Sequence, residues 1–452
     1  MKLVRVLLGA PVACFLLPGA VLAQQNYVAP EVRQPASTIQ QTAFEPDAYA
    51  YADPAVPSPS PSDAPETAAE VDPDPVYYYA PRRPSRMCRN GTLADPWTLF
   101  PEYSSGLKLG GWASAGVYSN AYGSPNNGPI AFRDLNDFTF DQLWVFAEKA
   151  ADTSDKPIDW GFRFDYIFGA DGQDTQAFAN SQWGWDNGWD GDNGYGSAIP
   201  QLYAELAVGN LSVKAGHFYT LTGYEVVPAP DNFFYSHAYT MTYGEPFTHT
   251  GVLGSYSCAN DVTLHGGWVA GWDTGFENPD DASMFLGGLS TPIGESIALS
   301  WMLTTGNNGV GAGDMYMNSL VFDFTLTEKL NYIFQHDLGM ITNQPGVNSQ
   351  WYGINQYLLY SLSDCWGVGA RFEWFRDDDG ARVIVNNQGV GNAGDYYALT
   401  AGLNWRPHAN VTLRPEVRYD WYEGNLNSGA GPFNAGANST QFSGGVDFIV
   451  TF

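Results

Sequence analysis

The chain closes on residues Phe442 to Phe452, which read Phe-Ser-Gly-Gly-Val-Asp-Phe-Ile-Val-Thr-Phe. Side chains alternate between the two faces of a β-strand. Phe442, Val446, Phe448, Val450 and Phe452 therefore share one face, and Ser443, Asp447 and Thr451 share the other. One face suits lipid and the other a polar lumen, with an aromatic residue last. This is the pattern of the final strand of a bacterial outer-membrane β-barrel. Beyond the N-terminal run, no stretch reaches the roughly 18 to 20 consecutive apolar residues of a spanning helix, so a helical membrane protein is excluded.

Residues 1–23 have the layout of a secretory signal peptide: Lys2 and Arg5, an apolar run from Val6 to Leu17, then Val21, Leu22 and Ala23. Pro11 ahead of Cys14 argues against a lipoprotein signal. Residues 24–96 are rich in Pro, Ala, Ser and acidic residues and cannot bury enough apolar surface to offset chain entropy; they predict a disordered periplasmic linker. It ends in Tyr77, Tyr78 and Tyr79 and a basic cluster of Arg82, Arg83, Arg86 and Arg89, read as a solvated tail. Cys88, Cys258 and Cys365 show no metal-type spacing and read as isolated small residues. The formal charge of −28 repels nucleic acid.

From residue 97 to the end, segments of about ten residues alternate apolar and polar. In the first, Leu107, Leu109, Ala113, Ala115 and Val117 oppose Lys108, Trp112, Ser114 and Tyr118; in the third, Trp160, Phe162, Phe164, Tyr166 and Phe168 oppose Arg163 and Asp165. A small soluble sandwich would keep one polar outer face instead. The segments fall near 106–118, 137–148, 158–169, 200–208, 211–221, 247–256, 261–272, 284–290, 296–305, 316–326, 329–339, 350–362, 365–376, 395–406, 410–422 and 441–452. They predict an all-β fold, a closed antiparallel transmembrane barrel of about 16 strands, with 12 to 18 compatible with the weaker segments. Connections after odd strands are long and those after even strands short, which puts the long ones outside the cell. Pro415 interrupts a clean strand and predicts a bulge.

Alternation turns Arg414, Glu416, Arg418 and Asp420 inward on one strand and Arg371 and Glu373 inward on another, because a charge facing lipid at mid-bilayer costs roughly 2–4 kcal/mol. These residues, with the inward Arg163 and Asp165 of the third segment as further pore-lining candidates, form either a self-satisfying wall or a pore-lining patch. The loop 222–246 is too apolar for free solvation. It is expected to fold into the lumen, setting Glu225, Asp231 and Glu245 opposite Arg371, Arg414 and Arg418, or to lie as a cap over the mouth. Loop 170–199 carries Asp171, Asp174, Asp186, Asp190 and Asp192 and reads as a diffuse acidic mouth. Position 12 counted from Asp190 is Gln201, where a calcium loop needs Glu, so no metal or cofactor is assigned.

Gly-x-Ser-x-Gly, His-Glu-x-x-His and phosphate-binding loops are absent; an enzyme is not expected. Gly110-Gly-Trp, Ala215-Gly-His-Phe-Tyr-Thr220, Gly223-Tyr-Glu225, Phe233-Phe-Tyr-Ser-His237, Gly244-Glu-Pro-Phe-Thr-His-Thr-Gly251 and Phe452 resemble the putative β-barrel porin-2 family, an OmpL-like group, over residues 97–452. The resemblance implies a porin-type barrel in the outer membrane and supplies no substrate. The expected function is a passive channel for small hydrophilic solutes and ions with weak cation preference. The alternative is a non-conducting structural or anchoring barrel with acidic loops. Expected partners are outer-membrane lipids, the barrel assembly machinery and, as for many large porins, two further copies in a homotrimer.

Overall fold

The computed structural model describes Cys88 and residues 91–452, except 94, 102, 104, 124–136, 178–184, 187, 191–193, 259–260, 279–280, 310–312, 343–347, 384–391, 425–430 and 435. The signal peptide, nearly all of the linker and the basic cluster lie outside the described residues.

Sixteen antiparallel strands close into one barrel. They are β1 (Leu107–Asn120), β2 (Phe138–Lys149), β3 (Ile158–Gly169), β4 (Gly196–Val208), β5 (Leu211–Tyr219), β6 (Thr248–Ser257), β7 (Thr263–Val269), β8 (Ser283–Pro292), β9 (Ile297–Asn307), β10 (Asp314–Thr327), β11 (Leu330–Thr342), β12 (Ser349–Ser363), β13 (Trp366–Asp377), β14 (Gly394–His408), β15 (Val411–Gly424) and β16 (Thr440–Thr451). Each strand pairs with its sequence neighbour, and β1 pairs with β16 from Trp112–Thr451 to Asn120–Ser443. No edge is left unpaired, which removes the template for aggregation that an open sheet presents. Large apolar side chains face outward and stay exposed in the isolated barrel, Trp160 at 58%, Phe442 at 52% and Leu399 at 52%. In water that surface would be a liability; in a bilayer it is the buried one. None of the described helices is long and apolar enough to span.

Two local expectations change. No register shift marks Pro415: pairing with β16 is continuous through Pro415–Val446. On the β14 side it passes from Gly402–Glu416 to Trp405–Leu413 without slipping. The strand gives up pairs at the proline rather than bulging, and the shift on that ladder lies between Trp405 and His408. Cys88 and Cys365 are not isolated. They form a disulfide across 277 residues of sequence, joining the N-terminal segment to the short turn between β12 and β13. Cys88 N–H donates to Pro407 O at 2.7 Å, Asp364 N–H to Gly91 O at 3.2 Å and Trp97 N–H to Asn410 Oδ1 at 2.9 Å, so the segment runs along the short-turn rim.

Candidate functional site

The connection from β5 to β6, residues 220–247, descends into the barrel and is almost wholly buried. Gly223 at φ +89° supplies a left-handed conformation near its start. Ala229–Asp231 form a 3-10 turn and Thr240–Gly244 a π-turn. Asn232 stitches the loop to itself, accepting from Val226 N–H at 2.9 Å and donating to Pro228 O at 3.2 Å.

A segment sunk away from water must still find partners for its peptide groups, and here the barrel wall supplies them. Glu416 accepts from Tyr235 N–H at 2.8 Å and Ser236 N–H at 3.2 Å, and Glu373 from Tyr239 N–H at 2.8 Å. Arg414 donates to Ala229 O at 2.8 Å and Asn232 O at 2.6 Å, Arg371 to Ser236 O at 2.6 Å, and Arg418 to His237 O at 2.9 Å. Gln142 holds Val227 O and Ala229 N–H, Trp351 Nε1 donates to Gly244 O at 2.9 Å, and Ser319 Oγ accepts from Gly223 N–H at 3.2 Å.

The same wall charges pair among themselves. Arg371 meets Glu373 at 2.8 Å and the loop's Glu225 at 2.6 Å; Arg418 meets Glu373 at 3.0 Å and Asp420 at 2.8 Å; Arg414 meets Asp447 at 2.6 Å. Burial alone would raise the Glu225 carboxyl, but the Arg371 guanidinium, with His237, outweighs it and holds it at about 2. Phe234 lies under Arg371 and Tyr239 under Arg418, each with 5.0 Å from guanidinium carbon to ring centroid.

The wall is notched to take the loop. A Cβ on Gly369 would meet the Phe233 ring at 2.5 Å, and one on Gly116 would meet the Tyr235 hydroxyl at 2.6 Å. Every strand contributes a lumen-facing residue almost out of reach of water: Ser114, Gln142, Asp165, Gln201, Phe218, Leu253, Val269, Leu286, Met302, Met317, Gln335, Asn355, Arg371, Thr400, Arg418 and Ser443, none above 7% exposed. Above this belt, toward the long loops, Met284, Met315, Trp272, Trp351, Phe375 and Tyr396 pack with Val383 and Phe433 from the external connections. Arg382 stacks over Trp351 at 4.7 Å and donates to Tyr243 O. On the short-turn side a cavity of about 390 Å³ remains, lined by Tyr224, Asp231, Phe233, Glu328, Lys329, Asn331 and Asn404 among others.

Each sequence candidate can now be placed. Glu225, Arg371, Glu373, Arg414, Glu416, Arg418 and Asp420 come together around the inserted loop. Glu225 and Arg371 do not face one another across an open gap but touch. Glu245 is buried and accepts from Gln335, which also donates to Asp337 at 2.7 Å; burial and the Asp337 carboxylate push Glu245 well up. Asp231 stands apart, exposed at the cavity. Arg163 and Asp165 form a separate group on β3 with Glu148, at 2.9 Å from Arg163, and Trp144, which donates to Asp165 at 3.0 Å. The acidic mouth is only partly one: Asp186 turns inward and accepts from Ala177 N–H at 2.9 Å and Ile199 N–H at 2.8 Å, while Asp192 lies outside the described residues. Among the described residues no group of three or more His, Cys, Asp or Glu could hold a metal ion. Sequence reasoning passed over Gln142, Ser319, Gln335 and Trp351, neutral residues whose role depends on what the loop brings to them.

The family model for putative beta-barrel porin-2, OmpL-like, matches residues 106–452, the whole barrel. The chain belongs to that family. It is thus a porin-2 barrel of the bacterial outer membrane. Its fold is shared with an anion-selective porin from Comamonas acidovorans at TM-score 0.54 and 10% identity, covering 76% of this chain and 99% of that one. The outer membrane channel DcaP of Acinetobacter baumannii matches at TM-score 0.51 and 12% identity, covering 79% and 100%. No curated protein matches by sequence.

Proposed function

We propose that this porin-2 barrel is a gated channel for small hydrophilic solutes, closed when residues 220–247 are seated and conducting when they shift. The observation that carries this reading is the belt of inaccessible residues crossing all sixteen strands, together with the means by which the loop is held. Side-chain hydrogen bonds and ion pairs fix it to the wall, and it contributes no strand. Its ends leave the barrel side by side, at the pair Tyr219–Thr248, so it can move without opening the sheet. Family membership and fold favour transport over catalysis.

Planar-bilayer recording tests the gate when combined with a lock. Asn355 Nδ2 donates to Thr240 Oγ1, so the pair T240C and N355C in a C258S background should crosslink the loop to β12. Current steps in the reduced variant that vanish on oxidation support the gate. Steps that persist with the loop locked would overturn it. In the open state the acidic excess of the chain favours weak cation selectivity, read from reversal potentials in a salt gradient. Marked anion preference would remove that part of the proposal.

A second reading, a non-conducting structural barrel, is favoured by the apolar packing above the belt and by the disulfide that ties the N-terminal segment to the rim. Complete absence of steps at verified insertion, in wild type and in loop variants alike, would select it.

A further inference from the structure

More than three residues in from a strand end, the outward positions are aliphatic, aromatic, Gly, Ala or Pro on every strand except three adjacent ones. Asn318 on β10, His336 on β11 and Gln356 on β12 face outward there. Their facing follows from alternation: Ser319, Gln335 and Asn355 beside them in sequence are buried in the lumen. The register places them together. Leu320 pairs with His336, so Asn318 is its diagonal neighbour on one side; Ile354 pairs with His336 and Phe334 with Gln356, so Gln356 is its diagonal neighbour on the other. His336 is the central residue of the thirteen in β11, which sets the line at mid-membrane depth.

Amides and imidazole at this depth face a medium without hydrogen-bond partners. Gln356 Oε1 accepts from the Tyr332 hydroxyl at 2.8 Å. Asn318 and His336 have no hydrogen bond to a described residue, and the ring of Leu320, Phe322, Phe334, Leu338, Ile354 and Leu358 around them offers none. Acyl chains cannot satisfy these groups, and lipid headgroups lie at another depth. A protein surface can.

We propose that the outward face of β10 to β12 is a contact between copies of this chain, packed about a symmetry axis passing near His336. Asn and Gln each donate and accept and the His ring offers two nitrogens, so the line is complementary to itself, and an axis through its centre brings the polar groups of one copy onto those of the next. The apolar ring then forms the dry rim of the contact.

Cysteine crosslinking in the full-length protein tests this. In a C258S background, L320C or I354C should yield covalent dimers in native membranes, since residues near a symmetry axis meet their own counterparts. V145C, on the outward face of β2, should not. In parallel, the triple replacement N318L, H336L and Q356L should convert the oligomer band of unheated gels to monomer, while the folded barrel keeps its heat-dependent mobility. The proposal is overturned if wild type is monomeric, if V145C crosslinks as well as L320C and I354C, if these positions crosslink to a different protein, or if the triple variant stays oligomeric.

Discussion

At the scale of the residue, the inward charges are partners for a loop. Arg371 serves two carboxylates and a peptide carbonyl while fully buried, and removing one side of a buried ion pair costs about 3–5 kcal/mol because the other side is left uncompensated. Arg371→Ala should therefore loosen the loop by that order, lowering the thermal midpoint and raising open probability in bilayers. Arg371→Lys keeps the charge but not the fork, and should fall between. Two external carboxyls give a pH dependence of known sign. Burial outweighs the backbone donors around Asp186 and Asp273 and pushes each up to about 7. A carboxyl raised in the folded state stabilises fully below its unfolded value near 4 and loses that contribution as pH rises through 7. Loops 170–195 and 270–282 should thus become more sensitive to proteolysis between pH 4 and 7, and D186N with D273N should flatten the profile. The sorting of Arg414, Glu416, Arg418 and Asp420 was legible because lipid enforces a period of two. The pairing of Cys88 with Cys365 was not, since it depends on where a turn and a linker meet in space.

At the scale of the element, all sixteen strands could be read from alternation, most within two residues of their ends. The largest differences, an earlier start for β4, an earlier end for β7 and a later end for β11, all fall at the long-loop ends of their strands, where external loops lie against the wall and blur the polar face. The inserted loop was legible as too apolar for solvent, but its two destinations, lumen or cap, could not be separated. What decides between them is fit: Phe233 needs the bare backbone at Gly369, and glycines in a strand read equally well as bends or bulges. Gly369→Leu should evict the Phe233 ring and leave the sheet paired. The expected result is more frequent opening with unchanged heat-dependent mobility of the barrel, measured by single-channel recording beside gel analysis.

At the scale of the whole molecule, barrel closure is carried by β1 and β16, whereas the N-terminal segment is attached elsewhere. Cleavage at a single site-specific protease sequence inserted after Arg89 should leave the N-terminal fragment bound to the barrel on a non-reducing gel and release it on reduction; release without reductant would mean that the Cys88–Cys365 bridge does not form in the mature protein. The bridge also sets where mechanical load enters. A pull on the N-terminal segment reaches the turn between β12 and β13 before it reaches β1, so tension bypasses the β1–β16 seam, the ladder that peeling from the first strand would otherwise unzip. Tethered to the cell, the barrel would bear strain on its staple and keep its closing seam at rest.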